Sequence, residues 1–217
     1  AAKDRLVASM PRWAPLAAML APMINWPALV PGAKGLLGFA DRPLPRFRRD
    51  AFHDWECRAP DGRDGEVILL PDLFNRYFEP ANLRAAITVL RAAGADPAVA
   101  RPLRGSRPLD DGRTYLAAGM VAEARAEAAR TLESLARFES PVLGLERSCL
   151  FTLKDEFLAL LPGDAASSLA ARAMGQATGR YVKRLGETRG CYHDQVAVDA
   201  LLAARGDVPV YEVIEFI

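Results

Sequence analysis

The amino-acid sequence predicts an α/β fold: an open, mostly parallel sheet covered by helices, with a helical, Pro-rich arm at the N-terminus. Three observations point to it. Residues 66–71 (EVILLP) form a short continuous apolar run, the pattern of a strand buried on both faces. From there on, runs of strand length alternate with segments of helical period, which argues for a parallel, helix-covered sheet. Before them, residues 58–65 (RAPDGRDG) are polar and turn-rich and mark a change of composition. The predicted division is an arm over residues 1–57 and an α/β domain over residues 66–217.

In the arm, prolines interrupt short helices, and Trp13, Trp26, Phe39, Phe47, Phe52 and Trp55 are spread along it. Such rings normally bury, so the expectation is that they anchor the arm on the main body, with a docking surface for a partner domain as the alternative. The basic run Arg42 to Arg49 reads as a solvated linker. Beyond the first strand, Pro80–Ala93 reads as a helix, with Pro in its first turn and Gly94 just past its end. Ala95–Ala100 is a second strand and 101–118 a loop rich in Arg, Pro, Gly and Asp. Gly119–Phe138 has the clearest helical period, with Val121, Ala124, Ala128, Leu132 and Leu135 as its apolar stripe. Pro141–Leu145 is a third strand, Leu150–Leu161 a helix stopped by Pro162-Gly163, and Ser168–Leu185 another helix. A helix over Val196–Ala204 and a strand over Val208–Ile214 complete the pattern.

Composition narrows the function classes. The 217 residues are 51% hydrophobic and 25% charged, which is globular composition. Lys and Arg number 28 against 27 Asp and Glu, so a net charge of +1 removes the electrostatic case for nucleic-acid binding. The apolar stretch Ala14–Pro31 contains Pro15, Pro22, Pro27 and Pro31, and prolines at that density break a membrane-spanning helix. Arg12 beside it argues against a signal peptide, and the expected location is the cytoplasm. The opening Ala, rather than Met, reads as a processed chain or a piece of a longer one. Three cysteines, Cys57, Cys149 and Cys191, are too few and too scattered for a disulfide framework. Neither GxGxxG, GxxxxGK[ST] nor GxSxG occurs.

In parallel α/β sheets ligands bind beyond the carboxyl ends of the strands. That rule selects Asp72, the loop with Asp110 and Asp111, Glu146 to Cys149, and Cys191 to Asp194. The four carboxylates Asp72, Asp110, Asp111 and Glu146 are hard ligands of the Mg²⁺, Ca²⁺ or Mn²⁺ type. Capping of helices and turns is the competing and commoner use of Asp in such loops. Cys149 lies at a helix start beside Arg147, where the helix dipole and a neighbouring cation would lower a thiol pKa and suit a metal ligand or nucleophile. A small buried residue at a helix start is the plainer alternative. Cys191, His193 and Asp194 put a thiol, an imidazole and a carboxylate together, but no second ligand pair has zinc-like spacing. His53 and Cys57, four apart in the arm, read as a chance pairing.

Three segments, VILLPDLFNRYFEPANLRAAITVLRAAGADPAV, GRTYLAAGMVAEARAEAARTLESL and PVLGLERSCLFTLKDEFLALLPGD, resemble the cysteine-rich (CCG-type) iron–sulfur oxidoreductase domain. That domain occurs in FAD-linked D-lactate and glycolate dehydrogenases and in the catalytic subunit of heterodisulfide reductase. The upstream RPLPRFRRDAFHDW is similar to the linker preceding the domain in the fused flavin/iron–sulfur enzymes. The resemblance runs from about residue 10 to the end and is most specific over residues 66–164. It implies an electron-transfer module that holds a [4Fe–4S] cluster and works with a flavin dehydrogenase domain or subunit carrying the FAD. Membrane association would be peripheral, through partners. By the family pattern, cofactor-binding positions fall on Asp72, Asp110, Asp111, Cys149 and Cys191, with Cys149 and Cys191 as metal ligands.

The cluster motifs depart from the family pattern. Asp110-Asp111-Gly112 stands where the family has Cys-Cys-Gly, and Glu-Arg-Ser-Cys149 where it has Glu-Pro-Ser-Cys. Around Cys191 the ligand column holds Tyr192, with the Cys one position away. The second Cys-Cys-Gly of the family would fall beyond Ile217, so the second half reads as truncated. A cluster-free structural or interaction module of the same fold is therefore the alternative expectation.

Overall fold

The computed structural model describes residues 2–26, 45–58, 65–92 and 95–173. Strand β1 (Val67–Leu69) lies between β2 (Pro97–Val99) and β3 (Val142–Leu143), and both pairings are parallel. Ile68 sits opposite Ala98 on one side and Val142 on the other. All three strands fall inside the apolar runs expected of them, so the α/β class with a small open parallel sheet holds.

Side chains of successive strand residues point to opposite faces, and the two faces have separate cores. On one face Ile68, Leu70, Ala98, Ala100 and Val142 pack with residues of α7 (Val121–Leu135), of a helical run over 147–160 and of α10 (Asp164–Arg172). That run consists of α8 (Arg147–Phe151), a π-helical turn (Thr152–Glu156) and α9 (Phe157–Leu160). On the other face Leu69 and Val99 pack with Leu83 and Ile87 of α5 (Pro80–Ala92), together with Phe52 and Cys57. The chain therefore leaves β1 over one face to reach β2, then crosses the other face to reach β3. The strand order reverses between β1 and β3, which is the switch point where such sheets open a crevice.

Two short helices were not foreseen: α4 (Leu73–Tyr77), and α6 (Arg113–Ala117) inside the expected 101–118 loop. The long helix α7 is shorter than Gly119–Phe138 and its buried face differs from the apolar stripe. Val121 is 47% exposed, while Glu127, Thr131 and Ser134 are buried beside Ala124, Ala128 and Leu135. The helix expected over Ser168–Leu185 starts earlier, at Asp164, and gives way at Ala173, whose backbone bridges to Val142. The expected helix Val196–Ala204, the strand Val208–Ile214 and the cluster Cys191, His193 and Asp194 lie outside the described residues.

The arm consists of α1 (Ala2–Ala8), α2 (Met10–Met19), α3 (Ala21–Ile24) and a 3₁₀ turn over Asp54–Glu56. Ala14, Ala17, Ala18 and Ala21 pack with Phe47, Ala51, Tyr77 and Phe78, so small residues on α2 let the arm lie close on α4. Asn25 fixes the return of the chain, donating to Phe47 O at 2.8 Å and accepting from Phe47 N at 2.9 Å. Phe47 and Phe52 are buried anchors as expected, and the Trp13 ring lies 5.6 Å from that of Phe47. Trp26 and Trp55 are instead 64% and 62% exposed, which corrects the expectation of uniform anchoring. Among the described residues no helix is long and apolar enough to cross a membrane.

Candidate functional site

The carboxyl end of β1 runs through Pro71 into Asp72, which caps α4. One carboxylate oxygen accepts the Asn75 backbone N–H at 2.9 Å and the other accepts the Asn75 side-chain amide at 2.7 Å. Beyond β3, Glu146 caps α8 in the same way, accepting the Cys149 N–H at 2.9 Å and the Ser148 hydroxyl. The switch point is thus framed by two acidic N-caps, each with a carboxylate that accepts a free N–H group of a helix start.

Between these caps comes the loop before α6. Asp110 Oδ1 accepts the Gly112 N–H at 2.9 Å, and Asp111 Oδ1 accepts the Arg113 N–H at 3.1 Å. Both are local turns of the kind Asp forms with its own backbone. Gly112 closes the turn at φ +77°, and a Cβ there would stand 2.9 Å from the Ala124 carbonyl oxygen, so only glycine fits. The loop is clamped by α7. Glu127 pairs with Arg107 and Arg130, Arg130 donates to Arg107 O at 3.0 Å and Pro108 O at 2.7 Å, and Thr131 donates to Asp110 O at 2.7 Å.

Asp72, Asp111, Glu146 and Cys149 come together at the switch point: the Cys149 thiol feels the Asp111, Asp72 and Glu146 carboxyls, Asp111 feels Asp72, and Asp72 feels Glu146. Burial pushes the Asp72 carboxyl above its ordinary range against the hydrogen bonds from Asn75. The Asp110 carboxyl is pushed up to about 8 by burial and by the Asp111 charge beside it, opposed by the Gly112 N–H. Burial likewise raises Asp111, opposed by the Cys149 thiol and the Arg113 N–H. Glu146 ends below its ordinary value: burial raises it, but bonds from Ser148 and Cys149 prevail. Asp110 has its other charged neighbours elsewhere, in Glu127 and Arg107.

Cys149 corrects the expectation of an acidified thiol. Burial first, then the Asp111, Asp72 and Glu146 carboxyls, push its titration far above the ordinary thiol range. The helix-start dipole is outweighed by three carboxyls in a desolvated pocket. Cys149 is therefore a neutral thiol beside Asp111, whose second oxygen, Oδ2, is buried without a well-formed hydrogen bond. Of the neighbouring pair, Asp110 is the carboxyl this environment keeps protonated beside a charged Asp111, because two adjacent buried carboxylates cannot both stay charged cheaply.

The donor set does not fit a [4Fe–4S] cluster. Such clusters are held by four thiolates. The whole chain has three cysteines, and Cys57 is buried on the opposite face of the sheet, where its Sγ donates to Pro97 O at 3.1 Å. His53 shares no site with Cys57: it is exposed and stacks on Trp55 at 5.8 Å. For hard cations the oxygens of Asp72, Asp110, Asp111 and Glu146 are the right chemistry, but all four carboxylates hold backbone N–H groups. Among the described residues no three Cys, His, Asp or Glu side chains are arranged to hold a metal ion.

Sequence reasoning missed Glu127, Arg107, Arg130 and Arg76. Glu127 and Arg130 leave one visible signal, an acidic and a basic residue three apart on α7, with Glu127 on the face where an amphipathic stripe should be apolar. No family model, no curated protein and no solved structure matches this chain.

Proposed function

We propose that the chain is a cluster-free interaction module of the cysteine-rich iron–sulfur oxidoreductase type, part of an FAD-linked 2-hydroxy-acid (D-lactate or glycolate type) dehydrogenase system. It is a cytoplasmic protein that meets membranes only through its partners. The observation that carries this reading is the fate of the Asp110–Asp111 pair. Where the family pattern calls for two soft thiolates, this chain has two buried carboxyls already spent on the Gly112 and Arg113 N–H groups. Carboxylate oxygens prefer hard cations and do not replace thiolates on iron–sulfide.

The interaction role is supported by the arm. Leu16, Met19, Met23 and Trp26 are 58–75% exposed on a short helical segment, an apolar surface of the kind that marks protein contacts. The flavin dehydrogenase domain or subunit is the partner the family resemblance names. A second reading, an electron-transfer module with a cluster, draws on one observation: Asp72 and Cys149, both family ligand positions, lie within electrostatic reach of each other at the switch point.

Anaerobic reconstitution with iron and sulfide separates the two. The native chain stays colourless in the first reading, and an Asp110→Cys/Asp111→Cys variant gains brown colour if the fold retains the site. About four irons per native chain, with stable brown colour, would overturn the cluster-free reading.

A further inference from the structure

A second crevice lies where the arm meets the loop after β2, with a cavity of about 520 Å³. That is within the range of small-molecule sites. Its charge is one-sided: Arg49, Arg58, Arg76 and Arg101 line it against the single carboxylate of Asp54. The nearby acids are engaged elsewhere, Asp50 with Arg48 at 2.9 Å and Glu56 with Arg84 at 2.7 Å. Arg76 is the key group. It is 2% exposed, its Nη1 donates to Asp54 at 2.6 Å and Phe52 O at 3.3 Å, and its Nη2 is buried with no hydrogen-bond partner among the described residues. A buried guanidinium N–H left open is costly, and an oxyanion is the group that fits its fork. Aromatic surface adjoins the charge: Phe52 lies under the Arg76 guanidinium at 5.9 Å, and the exposed Trp55 indole forms part of the wall.

We propose that this crevice binds a phosphate ester that carries a flat ring, with the phosphate on Arg76 Nη2, Arg49 and Arg101 and the ring against Trp55. The site is independent of the carboxyl cluster at the switch point and of the cluster-free reading. The anionic group satisfies the open Nη2, and the surrounding arginines neutralise more than one negative charge. The wall that the arm supplies closes a crevice beyond the carboxyl end of β2, the edge where parallel sheets take ligands.

Isothermal titration of the full chain with ADP, pyrophosphate and adenosine tests this. ADP is expected to bind one per chain, with pyrophosphate and adenosine each at least about tenfold weaker, as loss of stacking or of charge-assisted bonds requires. Arg49→Gln/Arg101→Gln should weaken ADP by about tenfold or more at an unchanged thermal midpoint, since neither side chain is in a core. Arg76→Gln should weaken it further, and the double variant keeps the test valid if that protein unfolds. Any of three results would overturn the proposal: ADP binding weaker than about 10 mM, affinity unchanged in the double variant, or pyrophosphate or adenosine equal to ADP.

Discussion

Replacing Asp110 by Asn should make the protein more stable at neutral pH, and the gain should grow as pH rises. Asp110 is buried, and its carboxyl is pushed up to about 8 by burial and by Asp111. Between the ordinary carboxyl pKa near 4 and that value, the folded chain holds this proton while the unfolded chain has released it. Unfolding therefore releases a proton, and stability falls as pH rises through that window. Below about pH 4 both states are protonated and the penalty vanishes; above about pH 8 both are ionised and it levels off. One proton gives a slope of about 1.4 kcal/mol per pH unit. For a chain of this size that is roughly 3–6 °C of thermal midpoint per unit. Asn keeps the oxygen that accepts the Gly112 N–H at 2.9 Å and removes the titration. Urea unfolding of both proteins at pH 5, 6 and 7 measures the difference between them, in which the other titrating groups largely cancel. Parallel curves, with the difference constant to within about 0.5 kcal/mol, would refute the assignment of a raised, protonated carboxyl.

Asp54→Ala strands the buried Arg76 guanidinium, which it pairs at 2.6 Å, and should cost about 3 kcal/mol or more in urea unfolding; adding Arg76→Met should recover part of the loss. Gly112→Ala forces a side chain onto φ +77° and toward the Ala124 carbonyl oxygen at 2.9 Å, and a loss below about 1 kcal/mol would contradict the tight turn. Native Cys149 should react with a soluble disulfide reagent at pH 8 at least about tenfold slower than the denatured chain, and Asp111→Asn should raise the native rate by removing a charge that holds the thiol neutral.

The sheet and its main helices were legible in the sequence because each rests on a local signal. Continuous apolar runs at 66–71 and 141–145 mark strands buried on both faces, and Pro80 at a helix start and Pro162-Gly163 after a helix mark its ends. The ligand edge followed from the strand–helix alternation alone, so Asp72, the Asp110–Asp111 loop and Glu146 to Cys149 could be assigned to one edge of the sheet, though not which of the two aspartates meets Cys149. What the sequence could not determine is how burial reorders their chemistry. The dipole and Arg147 beside Cys149 are local and suggest an acidic thiol; the three carboxyls that hold it neutral arrive from 77, 38 and 3 residues away in the chain numbering of Asp72, Asp111 and Glu146. The buried face of α7 is the same case, since Glu127 is tolerable there because Arg107 folds back from the loop to pair with it alongside Arg130. So too with Arg76, whose environment of Phe52, Asp54 and an open crevice is assembled from the arm. Strand and helix patterns depend on neighbours along the chain and can be read there, whereas desolvation and charge pairing depend on neighbours in space, and only the tertiary structure decides those.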